Sequence, residues 1–410
     1  MAAVLGMRGS GSFVAGGTYA ERPENWREEI LRLYPNGHAP LTAILSMLGK
    51  EVTDDPIFHW FQQELPDFRV HVNNGAGYGA GDTILVVDDG AGTAGEANKC
   101  VRGTVIMVER TREIMWVAQD PALNTTITVQ RGMGEVAAAP LVNNDVLFCF
   151  TSAYQQGASV PTSISFDPTP CFGYAQIMRK SLSETRTGMR TRLRTGDSYE
   201  KAKMECLDMI SLDMEQAFIW GQLYAGIEGG QLKLTTRGFY QWMIGDAACN
   251  CDGTNVFESE DCYMSKAQFE TWLQGLMSYG STNKLLLCGS GLIHVLNQLY
   301  EGAVTVNAVS GDQSYGLDLK EWISPHGRIY IKTHPLMNRH PVYTYDAMAL
   351  DLDFMNYRYV DDLEFIPDRQ DPGVDGRVDE FLVECGLEMH HCKAHGLIQN
   401  VKYSGEAPEN

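Results

Sequence analysis

The 410-residue chain has no apolar run approaching the ~20 residues a membrane helix needs. It is poor in basic residues: 32 Lys and Arg stand against 52 Asp and Glu, a formal net charge of −20. That deficit argues against a dedicated nucleic-acid binder, whose affinity comes largely from Lys and Arg on phosphates. It argues equally against a polybasic membrane anchor. The opening Met1-Ala-Ala-Val-Leu-Gly-Met7 lacks a charged n-region and a full apolar h-region, so no signal peptide is expected. The chain is therefore read as soluble and as staying in the cytosol where it is made. No G-x-x-x-x-G-K-[ST] loop, G-x-S-x-G elbow or H-E-x-x-H helix occurs. No repeat recurs at a fixed period.

What is present describes a globular chain. Apolar residues make up 44%, aromatics 10% and charged residues 20%, too apolar for a disordered polymer. The length suggests two or three structural units. Ten cysteines are spread along the chain, and without an export signal a disulfide framework is not expected. Cys206 falls in a helical pattern, and Cys288 and Cys385 fall in strand-like runs, where a thiol serves as a small hydrophobe. Two clusters have metal-ligand residue types. Cys249-Asn-Cys251 with Cys262 has C-x-C spacing, not the C-x₂-C of a zinc knuckle. His390-His391-Cys392-Lys-Ala-His395 is denser. Loop and strand-end residues account for both, and no metal site is assigned.

The pattern changes several times along the chain. Residues 1–20 hold five glycines and read as a flexible arm. Trp26, Ile30 and Leu33 form a short helical stripe after Pro23, and Leu41, Ile44, Leu45 and Leu48 form another. Runs at 82–88, 104–109, 113–118 and 125–130 are β-rich and separated by turn residues, which predicts hairpins. Residues 179–203 carry eight Lys and Arg against three acids. Residues 198–221 predict the longest helix, with Asp197 and Glu200 as a capping box and Tyr199, Ala202, Cys206, Ile210, Met214, Ala217 and Gly221 on one face. Helix, strand and helix follow at 269–277, 284–288 and 292–299, and a hairpin turns at Pro325-His-Gly327. Near the end Phe381, Val383, Cys385, Leu387 and Met389 alternate with Glu380, Glu384 and Glu388, as in a half-buried strand.

Candidate chemistry is thin. Gly75-Ala-Gly-Tyr-Gly-Ala-Gly81 precedes a strand, whereas a dinucleotide fingerprint precedes a helix, so it reads as a flexible loop. Asp351-Leu-Asp353 could hold a divalent ion, but its alternation with Leu350, Leu352 and Phe354 reads as the wet face of a strand. His391 and His395 would align on a helix, which Gly396 argues against. His59 reads as packed or at an interface. Residues 344–388 carry 13 acids against three Arg, read as a solvated acidic face. No catalytic, cofactor-binding or metal residues are assigned.

The order of segments carries more. Thr53-Asp-Asp-Pro-Ile-Phe-His-Trp-Phe61 is followed by Val129-Gln-Arg-Gly-Met-Gly134, Asp213-Met-Glu-Gln-Ala-Phe-Ile-Trp-Gly221, Thr236-Arg-Gly238 and Leu387-Glu-Met-His-His-Cys-Lys-Ala-His-Gly-Leu397. In this order they resemble the major capsid proteins of tailed bacteriophages, the Hong Kong 97-like fold. The resemblance implies an α+β chain with an N-terminal arm at 1–66 and an E-loop, a β-rich insertion, at 67–155. It implies a P-domain with a spine helix at 156–235, an A-domain at 236–344 and C-terminal P-domain strands at 345–410. It further implies pentamers and hexamers closing an icosahedral shell around the phage genome. The subunit would be assembled in the host cytoplasm and found in the virion, with separate scaffold, portal and decoration proteins. Packaged DNA would be met only by non-specific proximity, and the membrane not at all. Two alternatives remain: a cytosolic metal-dependent transferase using Asp351, Asp353 and the 390–395 histidines, and an encapsulin-type compartment shell.

Overall fold

The computed structural model describes residues 49–88, 95–191, 197–245, 251, 253–259, 261–299 and 320–405. The stripes expected before residue 49, the flexible arm, Cys249, Arg192 and Arg194 lie outside the described residues. The chain divides into two compact units, one of Gln63–Thr169 and one of the segments on either side.

The 63–169 unit is built from strands of alternating character. Val70, Val72, Leu85, Val87, Ile106, Val108, Met115, Val117, Ile127, Val129 and Leu147 all point inward and are fully buried. The six strands lie in the order Arg69–His71, Val146–Ser152, Thr104–Val108, Ile114–Leu123, Thr126–Gln130 and Ile84–Val86, all antiparallel. The first and last strands then meet through a Val72–Val87 bridge, with Asn73 N–H donating to Val86 O (3.0 Å) and Asp88 N–H to His71 O (3.0 Å). The sheet is thus closed into a small barrel, which removes open edges. The expected β-rich runs are present as strands of this barrel. The insertion has its own core.

Two details hold the barrel shut. The 75–81 glycine run is not a loose loop: Tyr78 N–H donates to Leu141 O (2.8 Å), and the Tyr78 hydroxyl accepts from Val86 N–H (2.8 Å). Gly77 has φ +71, and a Cβ there would lie 2.4 Å from Leu141 O, so only glycine fits. Arg131, from the 129–134 segment, forms a buried fork on Glu113 (Nε–Oε1 3.0 Å, Nη2–Oε2 2.6 Å) and also donates to Gly79 O (2.6 Å). Burial pushes the Glu113 carboxyl up, but Arg131 and the Ala139 and Gly132 N–H groups outweigh it and hold it below its usual range.

The second unit is organised around the long helix, Ser198–Trp220, about 34 Å at ~1.5 Å per residue. Asp197 caps it by accepting from Tyr199 N–H (2.9 Å), while Glu200 sits in the first turn, where its charge suits the helix dipole. Cys206, Ile210, Met214, Phe218 and Ile219 are its buried residues of apolar type. The larger Phe218 and Ile219 carry the end of the face, which the sequence spacing gave to Ala217. They share a core with Met178, Leu182, Phe381, Val383 and Cys385 of a four-stranded sheet. That sheet runs Lys50–Val52, Met355–Ile366, Gly376–Met389 and Gln176–Thr185, parallel at the first pair and antiparallel after it.

A six-stranded mixed sheet completes the unit: Val256–Glu258, Gly396–Gln399, Ala347–Leu350, Asn283–Cys288, Gly327–Thr333 and Lys320–Ser324. The central Lys284-Leu-Leu-Leu-Cys288 is buried throughout, as a strand covered on both faces must be. Helices Lys266–Met277 and Ser290–Leu299 pack a second core against it. The first opens on a capping box between Ser265 and Gln268. The hairpin at Pro325–Gly327 forms as the spacing predicts. Segment 345–405 supplies strands to both sheets, so its hydrogen bonds tie them together. The chain is α+β.

Candidate functional site

Four of the five segments that carry the resemblance converge in the second unit. Trp60 stacks on Trp242 (6.0 Å between centroids) and lies 6.0 Å from the His390 ring. Phe58 stacks on Trp60 at 5.9 Å. Arg237, almost fully buried, lies over the Trp242 ring at 4.9 Å, a cation–π contact in a dry setting. Thr236 Oγ1 accepts from Leu387 N–H (3.3 Å). Gly238 N–H donates to Gly221 O (2.8 Å), and a Cβ at Gly238 would lie 2.5 Å from Gly221 N. The close approach of these two glycines lets the long helix end against the chain that follows. The segments are thus parts of one packing centre, and their residue types serve packing.

Asp351 and Asp353 do not share the wet face of a strand. The strand ends at Leu350, and Asp351 becomes the cap of a 3₁₀ turn, Leu352–Phe354. Asp353 is exposed, but Asp351 is fully buried. Its Oδ2 lies 3.1 Å from Lys284 Nζ, and it accepts from Ser281 N–H (2.7 Å) and Ser281 Oγ–H (2.9 Å). Lys284, also buried, donates to Ala394 O (2.6 Å) and Tyr279 O (3.0 Å). Burial pushes the Lys284 ammonium below its usual range, opposed by Asp351. Such a pair is retained by its mutual charge and hydrogen bonds, and removing one partner is costly.

The histidine cluster is likewise dispersed. His390 pairs with Glu388, which also binds Arg358. His391 has φ +50 and packs its ring edge on Phe354 (5.7 Å). His395 is fully buried; its Nδ1 accepts from Asp351 N–H (3.2 Å), and burial drives its pKa down to about 3. Cys392 is bonded to Cys251, 141 residues away. The expectation of no disulfide is corrected here: the two cysteine clusters meet because strands Val256–Glu258 and Gly396–Gln399 are paired in parallel. Cys206, Cys288 and Cys385 are buried thiols, as expected.

The acidic run is divided: Asp353, Asp361, Glu364, Asp368, Asp371 and Asp375 are exposed, as a solvated face requires, but five of its acids are not. Asp346, Asp351, Asp379, Glu380 and Glu388 are buried. Asp379 holds Arg377 (2.9 Å), and Glu380 holds Arg179 (2.5 Å) and Arg369 (2.9 Å). Within the basic run, Lys180 pairs with Asp213 (2.7 Å) and Arg186 with Asp375 (2.9 Å), both at the surface. A further buried pair, His334 Nε2 to Glu215 Oε1 (2.7 Å), links the long helix to the end of strand Gly327–Thr333. A glutamate on the apolar face of the helix was its available signal.

Large apolar side chains remain uncovered. The ribbon Tyr224–Glu228 with Gln231–Thr235 exposes Tyr224, Ile227 and Leu232, with Ile227 81% exposed. Phe61 is 74% exposed, and in the barrel unit Val160 is 93% exposed. No described helix is long and apolar enough to cross a membrane.

Comparison with known proteins places this arrangement. A family model described as SU10 major capsid protein matches residues 10–402. The major capsid protein of Pseudomonas phage PaMx41 is 25% identical over 339 residues, which is 81% of this chain and 77% of that protein. Among solved structures, the capsid of a native GTA particle is covered over 98% of its chain and 96% of this one, at 11% identity and TM-score 0.46. The SrpI encapsulin of Synechococcus elongatus PCC 7942 is covered over 79% of its chain and 58% of this one, at 8% identity and TM-score 0.41. The class is that of bacteriophage capsid proteins. The chain belongs to the SU10 major capsid protein family: it forms the capsid shell of a phage, one copy among many, and is a component of the virion.

Proposed function

We propose that the subunit is a Hong Kong 97-like shell tile that closes into pentamers and hexamers of an icosahedral head, with no catalytic role. In this reading the 63–169 barrel serves as the E-loop. The long helix, the four-stranded sheet and the 224–235 ribbon form the P-domain, and the six-stranded sheet with its two helices forms the A-domain. Assembly takes place in the host cytoplasm around a separate scaffold, with portal and decoration proteins as further partners. Packaged DNA is met by proximity only; Arg179, Lys180 and Arg186 of the basic run are engaged by acids of their own subunit.

The observation that carries this reading is the uncovered 224–235 ribbon. A two-stranded ribbon is marginal alone in water, and Ile227 faces Leu232 across it with both side chains exposed. In a shell, a second copy of the chain covers them. The test is Ile227→Asp with Leu232→Asp. The subunit should fold with unchanged melting and fail to assemble. Shells formed at parental yield would remove the ribbon from the interface.

A further inference from the structure

We propose that His71, Asp88 and Glu96 form a binding site for a first-row divalent metal ion, with Zn²⁺ as the reference case, placed on the closing seam of the barrel. Among the described residues these three are the one group of His, Cys, Asp and Glu whose ligand atoms all lie within 4.8 Å of one another. None has a part in the shell contacts proposed above.

The site is preset by the backbone. Asp88 N–H donates to His71 O (3.0 Å), and Glu96 N–H donates to Asp88 O (3.2 Å). The Glu96 carboxylate closes the ring by accepting from His71 N–H through Oε2 (2.7 Å). Three residues from the end of one strand, the end of another and the start of a 3₁₀ turn are therefore tied to each other before any ion arrives. Around a tetrahedral ion with bonds of ~2.0–2.2 Å, ligand atoms stand about 3.4 Å apart. His71 Nδ1 and Glu96 Oε2 are already at 3.3 Å. Asp88 offers a carboxylate oxygen within 4.8 Å of both, and water would fill the remaining position.

The charges point the same way. Lys99 Nζ lies 3.5 Å from Glu96 Oε1, so one cation answers two carboxylates. It engages the oxygen of Glu96 that faces away from His71. Among the described residues no side chain donates to the Asp88 carboxylate, which is half-buried beside Glu96. A divalent ion between Asp88, Glu96 Oε2 and the imidazole removes that imbalance. One nitrogen with two carboxylates suits zinc, manganese or iron better than calcium or magnesium, which prefer oxygen alone. The consequence is mechanical: an ion held beside the Val72–Val87 bridge would clamp the closing seam of the barrel.

The test uses the full-length chain, stripped with a chelator, titrated with Zn²⁺ by calorimetry and melted with and without the ion. The expected result is about one ion per chain and a higher melting temperature of the barrel. Asp88→Asn, which loses no protein partner, should melt like the parent without metal and bind Zn²⁺ at least about tenfold more weakly. Co²⁺ should give visible absorption bands that are lost in His71→Gln. Zn²⁺ bound as tightly by Asp88→Asn as by the parent, or a parent that binds only above about 1 mM, would overturn the site.

Discussion

Asp351→Asn distinguishes the buried pair from the surface acid that its sequence context suggests. The substitution keeps the side-chain shape and removes one charge. It leaves the Lys284 ammonium, fully buried and 3.1 Å away, without a counter-charge. Breaking a buried pair by removing one partner costs ~3–5 kcal/mol. An independent bound agrees. If Lys284 instead sheds its proton on folding at pH 7, the cost is at most about 1.4 kcal/mol for each unit between pH 7 and its usual 10.5, or about 5 kcal/mol. Either route takes a large part of a typical ~5–15 kcal/mol. For a unit of this size the melting temperature should fall on the order of 10 °C. The assay is calorimetry on unassembled subunit, so that shell contacts do not mask the loss. The sign of the pH response is also fixed. In the variant the unfolded chain holds the Lys284 proton more readily than the folded one, so stability should recover as pH rises from 7 toward 10. Asp353→Asn, on an exposed side chain, should change stability by no more than ~0.5 kcal/mol. Equal melting of parent and Asp351→Asn would refute the pairing argument.

Other outcomes follow from the same structure. Ile210→Asp places an unpaired carboxylate in the seam between the long helix and the four-stranded sheet and should give insoluble or unassembled protein, visible by sedimentation. Arg131→Met strands Glu113 inside the barrel and should lower the barrel's urea midpoint by several kcal/mol equivalent. Reducing Cys251–Cys392 releases a 141-residue loop, worth up to about 5 kcal/mol by chain entropy, so reductant should lower the melting temperature of the parent and leave Cys251→Ser unchanged. His395 is protonated below about 6.5 when unfolded but resists until about 3 when folded, so stability should fall as pH drops through that window, by up to about 1.4 kcal/mol per unit. That acid slope should shrink in His395→Asn. Deleting residues 90–129 removes three of the barrel's six strands, so aggregation is expected, not a folded subunit that merely fails to assemble.

Periodicity made the local elements legible. The spacing of Cys206, Ile210 and Met214 gave the helix and its buried face, and strict alternation gave the strand carrying Val383 and Leu387. What periodicity cannot carry is pairing across long separations. Barrel closure depends on Val72 meeting Val87 and Tyr78 meeting Leu141. Alternation around Asp351 imitated a strand because a 3₁₀ turn of three residues is too short to show its own period. A clue was nonetheless present: Lys284 stands directly before the buried apolar run Leu285-Leu-Leu-Cys288, and a lysine there needs an acid. Nothing local marks Glu215 and His334, 119 residues apart, or Cys251 and Cys392 as partners. The buried acids Asp379 and Glu380 were not legible in the acidic run because charge counts say nothing of which arginines lie beside them.

Shell formation is tested most directly by cryo-electron microscopy of the purified protein, expressed alone and together with a candidate scaffold protein. Closed icosahedral particles built of pentamers and hexamers are expected, with the barrel and the 224–235 ribbon of each subunit in contact with neighbouring copies. A stable monomer under every salt and scaffold condition, or particles whose ribbons face solvent, would contradict the proposed assembly.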